Sequence, residues 1–189
     1  MFFIRRPSSD TIERFLADSD DLPMSYGPVG LVQSGECRSL DEASVVIGHG
    51  RADFERAKVA LMEWQQFDLG WVELWPRHSP TTVGAVVAVL IKHLGFWSLN
   101  GCKVAYRADG NGSSAFGYAY GTLPNHAESG EELFDVFLDP RTDDVIYRIR
   151  ATSKPQAMLT WIGQPIVRAL QARFRRDSAE AMRRATSSS

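Results

Sequence analysis

Apolar residues recur with a period of two through the middle of the chain and with a period near 3.6 toward its end. Val83, Ala85, Val87, Val89 and Ile91 alternate with Gly84, Val86, Ala88 and Leu90, so this run predicts a strand buried on both faces. Gly95 predicts the turn that follows. Beyond Phe96, strict alternation puts Asn100, Cys102, Val104 and Tyr106 on one side and Lys103 and Arg107 on the other. The segment ADGNGSSA predicts a loop, after which Phe116, Tyr118 and Tyr120 alternate with Gly117, Ala119 and Gly121. A hairpin through TLPNHAESG returns as Glu131 to Leu138. DPRTDD then turns into Val145 to Ala151, where Val145, Tyr147 and Ile149 oppose Arg148 and Arg150. Everything from Val83 to Ala151 therefore reads as one antiparallel meander.

The flanks have helical periodicity. Ser9 predicts the cap of a helix from Asp10 to Asp18, with Ile12, Phe15 and Leu16 on one face. An extended loop rich in turn formers, SDDLPMSYGPVGLVQSGE, follows it, with Tyr26 as its anchor. Ser44 to Ile47 predicts a short strand, and Asp53 the cap of a helix carrying Phe54, Ala57, Leu61 and Trp64. Trp64, Trp71 and Trp75 cluster before Pro76. At the other end, Ser153 and Pro155 predict a helix entrance. Met158, Ile162, Ile166, Leu170 and Phe174 form the apolar stripe of that helix, and Pro165 is expected to kink or break it. The predicted fold is α+β, a curved antiparallel β-sheet wrapped around a long C-terminal helix, with an extra N-terminal helix and loop. Residues 1–40 form the covering segment, 41–185 the sheet-and-helix domain and 186–189 a tail expected to be disordered. Such a sheet encloses an apolar interior, which side chains fill or a ligand enters.

Composition narrows the function. A chain of 189 residues, 44% hydrophobic and with a formal charge of −2, suits one globular domain and argues against nucleic-acid binding through global charge. The longest apolar run, Val83 to Ile91, is far below membrane-spanning length, and MFFIRRPSSD is too short in apolar residues for a signal peptide. Cys37 and Cys102 are the only cysteines and are expected to be reduced thiols, which points to the cytoplasm. Neither they nor His49, His78 and His93 show metal-ligand spacing, and no phosphate loop, nucleophile elbow or other cofactor motif is present.

Candidate chemistry gathers on the strand EELFDVFL. Period two groups Glu132 with Phe134, Val136 and Leu138, and Glu131 with Leu133, Asp135 and Phe137. If the first set faces inward, Glu132 ends an apolar row. Burial would then raise its pKa, with Tyr118, Tyr120 or Tyr147 as its donor; if the strand has barely begun there, the carboxylate is wet. His126 lies in the hairpin beside Glu128, Glu131 and Glu132, either oriented by a carboxylate or simply solvated. Tyr106, Tyr118, Tyr120 and Tyr147, with Asn100 on the strand of Tyr106, suit a cavity wall that solvates one end of an apolar ligand, or else an ordinary core. Trp64 and Trp71 either gate that cavity or pack against the sheet. Arg168, Arg173, Arg175, Arg176, Arg183 and Arg184 make a basic helix face that reads as a solvated surface before a contact for phosphates or anionic lipid.

Three stretches, GHGRADFERAKVALMEWQQFDLGW, LGFWSLNGCKVAYRAD and FGYAYGTLPNHAESGEELF, resemble an uncharacterised family of small bacterial and plant proteins. That family is catalogued as a domain of unknown function, and a similar domain forms the C-terminal part of YndJ-like membrane proteins. The resemblance runs from about Phe3 to Arg184, and the hairpin pattern GTLP-x-H-x-x-x-GEE-x-F is its most specific element. It selects Gly121, Thr122, Pro124, His126, Gly130, Glu131 and Glu132. The segment order is also similar to the helix-grip fold of START and pollen-allergen-like proteins, which implies a cavity between sheet and final helix. The leading expectation is therefore a protein that binds a small apolar or amphipathic molecule, without cofactor or metal. An enzyme using Glu132 or His126 as acid or base is a second possibility, and an interaction module with a filled core a third.

Overall fold

The alternating segments form a strongly curved sheet in the computed structural model, which describes residues 1–37, 39–110, 114–155 and 164–187. The chain begins with β1 (Phe2–Phe3), α1 (Ser9–Ser19) and a single turn, α2 (Leu31–Ser34). Next come β2 (Asp41–His49), α3 (Gly50–Met62), a 3-10 turn (Gln65–Phe67) and β3 (Val72–Trp75). The meander is β4 (Val86–His93), β5 (Phe96–Arg107), β6 (Ala115–Thr122), β7 (Glu128–Leu138) and β8 (Asp144–Pro155), and α4 (Gln164–Thr186) follows. The strands lie in the order β2-β8-β7-β6-β5-β4-β3, with β1 added onto β5. Every pairing is antiparallel. The architecture is thus α+β, a curved antiparallel sheet gripping a long C-terminal helix.

Each face of the sheet has its own cover. On the concave face, Val87, Val89, Cys102, Val104, Phe116, Tyr118, Phe134, Val136, Tyr147 and Ile149 pack against α3, the 3-10 turn and Met182 of α4. On the convex face, Ile12 and Phe15 of α1 bury Ala88, Leu90 and Leu99. Farther along the same face, Val32 of α2 buries Ala119 and Leu133. This double burial explains why β4 is apolar on both sides while β8 alternates. The N-terminal segment is therefore an arm laid over the outside of the sheet.

Several local expectations are corrected. The first helix is capped one residue earlier than predicted, by Ser8, whose Oγ accepts from the Thr11 N–H at 3.3 Å. Asp53 does not precede its helix but sits in the first turn, where it accepts the His49 N–H at 2.8 Å. Val83 is 61% exposed and lies before β4. The strand β3 hides in the tryptophan-rich stretch, too short at four residues to show a period. Ser153 to Pro155 is not a helix entrance: β8 continues through it, pairing Ser153 with Gly130 and Pro155 with Glu128. The helix instead begins at Gln164, so Pro165 falls in its first turn, where no intrahelical N–H is needed and no kink results. Met158 and Ile162 lie outside the described residues. Tyr106 breaks the predicted alternation because the β5–β6 register shifts between Val104 and Tyr106, a bulge that exchanges the faces of the residues beyond it. Arg107 consequently stacks on Phe116 of the concave core, 4.4 Å from the ring centroid.

Candidate functional site

Strand β7 carries the chemistry of the concave face. Phe134 and Val136 belong to the interior, so period two turns Glu132 and Glu128 the same way and Glu131 outward. Glu132 pairs directly with Tyr120 across β6, and the tyrosine hydroxyl donates to Glu132 Oε2 at 2.6 Å. Burial raises the Glu132 pKa to about 7, opposed by the Tyr120 hydrogen bond, raised further by Glu128 and lowered by Arg175. Even so, Glu132 is only half-buried, and Oε1 has no hydrogen-bond partner among the described residues. It is an open carboxyl at the edge of an apolar interior.

Around it stands an aromatic wall. Phe67 from the 3-10 turn lies 5.3 Å from Phe174 of α4 and 5.6 Å from Phe134, centroid to centroid. Tyr120 lies 5.5 Å from Phe134 and 6.0 Å from Phe67. Phe67 and Phe134 are buried, whereas Leu170, Gln171, Phe174 and Arg175 of α4 are half-buried and leave the wall accessible on that side. Glu128 completes this rim: its Oε1 accepts from Gln171 Nε2 at 2.9 Å and from Ser153 Oγ at 3.3 Å. Burial holds its pKa above the usual carboxylate range.

The remaining candidates are placed elsewhere or already engaged. Tyr118 and Tyr147 are fully buried anchors. Tyr118 accepts from Gln66 Nε2 at 2.6 Å and donates to the Leu61 carbonyl at 3.2 Å, while Tyr147 shares a 2.8 Å hydrogen bond with Ser178 of α4. Trp64 donates to the Ser79 carbonyl at 2.8 Å and packs edge-on against Tyr118. Trp71 donates to Asp177 at 2.9 Å beneath the Arg173 guanidinium. Asn100 is buried; its Nδ2 donates to the Val89 carbonyl at 3.2 Å, and its Oδ1 receives the Ala127 N–H at 3.3 Å, fastening the hairpin loop.

Tyr106 and Glu131, expected to line the same interior, face the other way. Glu131 is buried under the arm and accepts four hydrogen bonds: Tyr106 hydroxyl at 2.7 Å, Tyr26 hydroxyl and Gly30 N–H at 2.8 Å each, and Val32 N–H at 3.1 Å. Most of the hairpin pattern serves the same docking. Tyr26 lies where a Gly121 side chain would be, and Thr122 Oγ1 accepts the Gly130 N–H at 2.9 Å while sharing a 2.6 Å contact with Ser25. His126 Nδ1 accepts the Glu128 N–H at 2.9 Å, and burial lowers its pKa to about 4, so the ring is neutral near pH 7. Among the described residues it makes no hydrogen bond to Glu132.

Sequence reasoning missed Phe67, Gln171 and Arg175 as site residues, and treated Glu128 only as a neighbour of His126. Gln171 and Arg175 stand four residues apart, one turn of α4, and Phe174 was visible only as part of the stripe. A cleft of about 550 Å³ between α1 and the loop after β3 lies apart from this site, lined by Glu13, Leu16, Trp75, Pro76, Arg77 and His78. No group of three or more His, Cys, Asp or Glu among the described residues is placed to hold a metal ion. No helix among them is long and apolar enough to cross a membrane.

Comparison with known proteins gives the chain its relatives. The family model "Domain of unknown function (DUF1990)" matches residues 25–181. A UPF0548 protein of Dictyostelium discoideum is 32% identical over 209 residues, covering 100% of this chain and 97% of that protein. The UPF0548 protein At2g17695 of Arabidopsis thaliana is 34% identical over 147 residues, covering 76% of this chain and 71% of its own length. Among solved structures, a hypothetical protein, jhp0584, from Helicobacter pylori superposes with a TM-score of 0.55 at 8% identity, covering 87% of this chain and 96% of the other. At that identity the likeness is one of fold.

Proposed function

This chain belongs to the DUF1990 family, and on that premise we propose that it holds a small amphipathic molecule at the open rim of its concave face. The apolar body would lie against Phe174, Leu170 and the ring cluster behind them, and the polar end would meet Glu132 and Tyr120. One observation carries this reading: a half-open carboxyl with, among the described residues, a single hydrogen bond, at the margin of an interior where the Tyr118 and Tyr147 hydroxyls are bonded within the protein. An unfilled hydrogen-bonding capacity beside accessible apolar surface is what a ligand's two ends require. A carboxyl whose pKa is raised by burial costs stability at neutral pH, which favours a role in binding over a role in stability.

Native and denaturing mass spectrometry of the purified protein tests it. The expected result is a small-molecule mass at one per chain, released on unfolding and diminished in the Phe174→Ala variant. The reading fails if the protein is apo and titration with octanol, octylamine and octanoate moves no resonance of Glu132, Tyr120 or Phe174.

A further inference from the structure

We propose that the polar end of this ligand is a cation, a protonated amine on an apolar body, held between Glu132 and Glu128. The inference rests on the ligand-binding reading above and assigns its chemical class. The groups facing the rim come from five elements. Strand β7 supplies Glu128 and Glu132 on one face, β6 the Tyr120 hydroxyl, β8 the Ser153 hydroxyl, and α4 Gln171, Phe174 and Arg175. Arg175 favours the charged form of Glu132, and it stands 3.9 Å from Asp41 of β2, so its charge is already shared. The 3-10 turn adds Phe67 behind Phe174.

The balance of this set is negative. Two carboxyls share a desolvated rim, each held above its ordinary pKa by burial, and no cation among the described residues is hydrogen-bonded to either. A carboxylate or phosphate ligand would add a further negative charge to them. A neutral head would leave Glu132 Oε1 without a charged partner. An ammonium supplies the missing charge and donors, and the adjoining rings favour a cation through their quadrupole while receiving its apolar body. The aromatic wall is independent of the carboxyls and points to the same occupant.

The test compares three probes with one body and different heads: octylamine, octanol and octanoate, each below its micellar concentration. Isothermal titration at about pH 8, where an alkylamine is protonated, reads the affinities. Octylamine is expected to bind about tenfold or more tighter than octanol, with octanoate weakest, as a charge-assisted bond in a desolvated site implies. Glu132→Gln and, separately, Glu128→Gln should bring octylamine down toward the octanol affinity of the same variant. Thermal unfolding of each variant checks that it is folded. If octanol or octanoate binds as tightly as octylamine, the cationic assignment is overturned while the ligand site stands. If none of the three binds the wild-type protein, the assignment and the reading beneath it both fall.

Discussion

Two adjacent carboxyls, Glu131 and Glu132, show how much one residue's environment decides. Among the described residues Glu131 receives four hydrogen bonds beneath the arm, whereas Glu132 receives one and carries a pKa of about 7. A carboxyl whose folded pKa lies above its unfolded value of 4.5 binds more protons folded than unfolded between those values. Its contribution to stability therefore declines as pH rises from about 4.5 to 7 and is flat beyond. Glu132→Gln keeps an acceptor for Tyr120 and removes that decline. We expect it to stabilise the protein by about 1–2 kcal/mol above pH 7, a half-buried group being partly screened, and to change little below about pH 4.5. Chemical unfolding at a series of pH values measures this, and a loss of stability above pH 7 would contradict it. His126 acts with the opposite sign. Its folded pKa of about 4 lies below the unfolded 6.5, so its contribution is present above 6.5 and is lost as pH falls toward 4. His126→Asn should lessen the acid sensitivity in that window, read from the same curves. The two effects oppose one another between about 4.5 and 6.5, so the wild-type profile is expected to be flatter there than that of either variant.

At the scale of elements, the hairpin pattern divides its work between two faces of the sheet. Gly121, Thr122 and Glu131 dock the arm on the outside, while Glu128 and Glu132 turn to the concave rim. The alternation of β7 was readable because apolar Phe134 and Val136 mark its inner face. The side taken by Tyr106 was not readable, because a bulge exchanges faces without any change in the apolar pattern. Three of the four partners of Glu131 were equally hidden: Tyr26, Gly30 and Val32 lie about a hundred residues away, in a segment whose turn residues predict only that it is not regular. Glu131→Gln leaves one acceptor oxygen for four donors, so at least one buried donor loses its partner. That variant is expected to lose about 2–3 kcal/mol and to speed amide exchange in residues 24–34, with β7 and β8 protected as before. Unchanged exchange in the arm would show that Glu131 does not hold it. Tyr26→Phe should produce a smaller effect of about 1 kcal/mol in the same segment.

For the molecule as a whole, the antiparallel meander and the long final helix were legible because they rest on sustained periodicity, which composition and length allow only a few ways to pack. The start of that helix was not, since Ser153 and Pro155 are as compatible with the last residues of an edge-approaching strand as with a helix entrance. Nor could pattern alone say which face of the sheet the arm would cover. The resulting molecule closes its convex face with its own N-terminal segment and leaves its concave face to α3, α4 and a rim built on Glu132. Ligand binding at this rim requires that carboxyl to be desolvated and still open. Carbon-detected NMR of the Glu132 carboxyl, titrated with pH in the free protein and again with saturating octylamine, tests this most directly. The predicted midpoint is about 7 when free, falling when the amine is bound. A midpoint near the ordinary carboxylate value of about 4.3 that amphipaths do not move would contradict it.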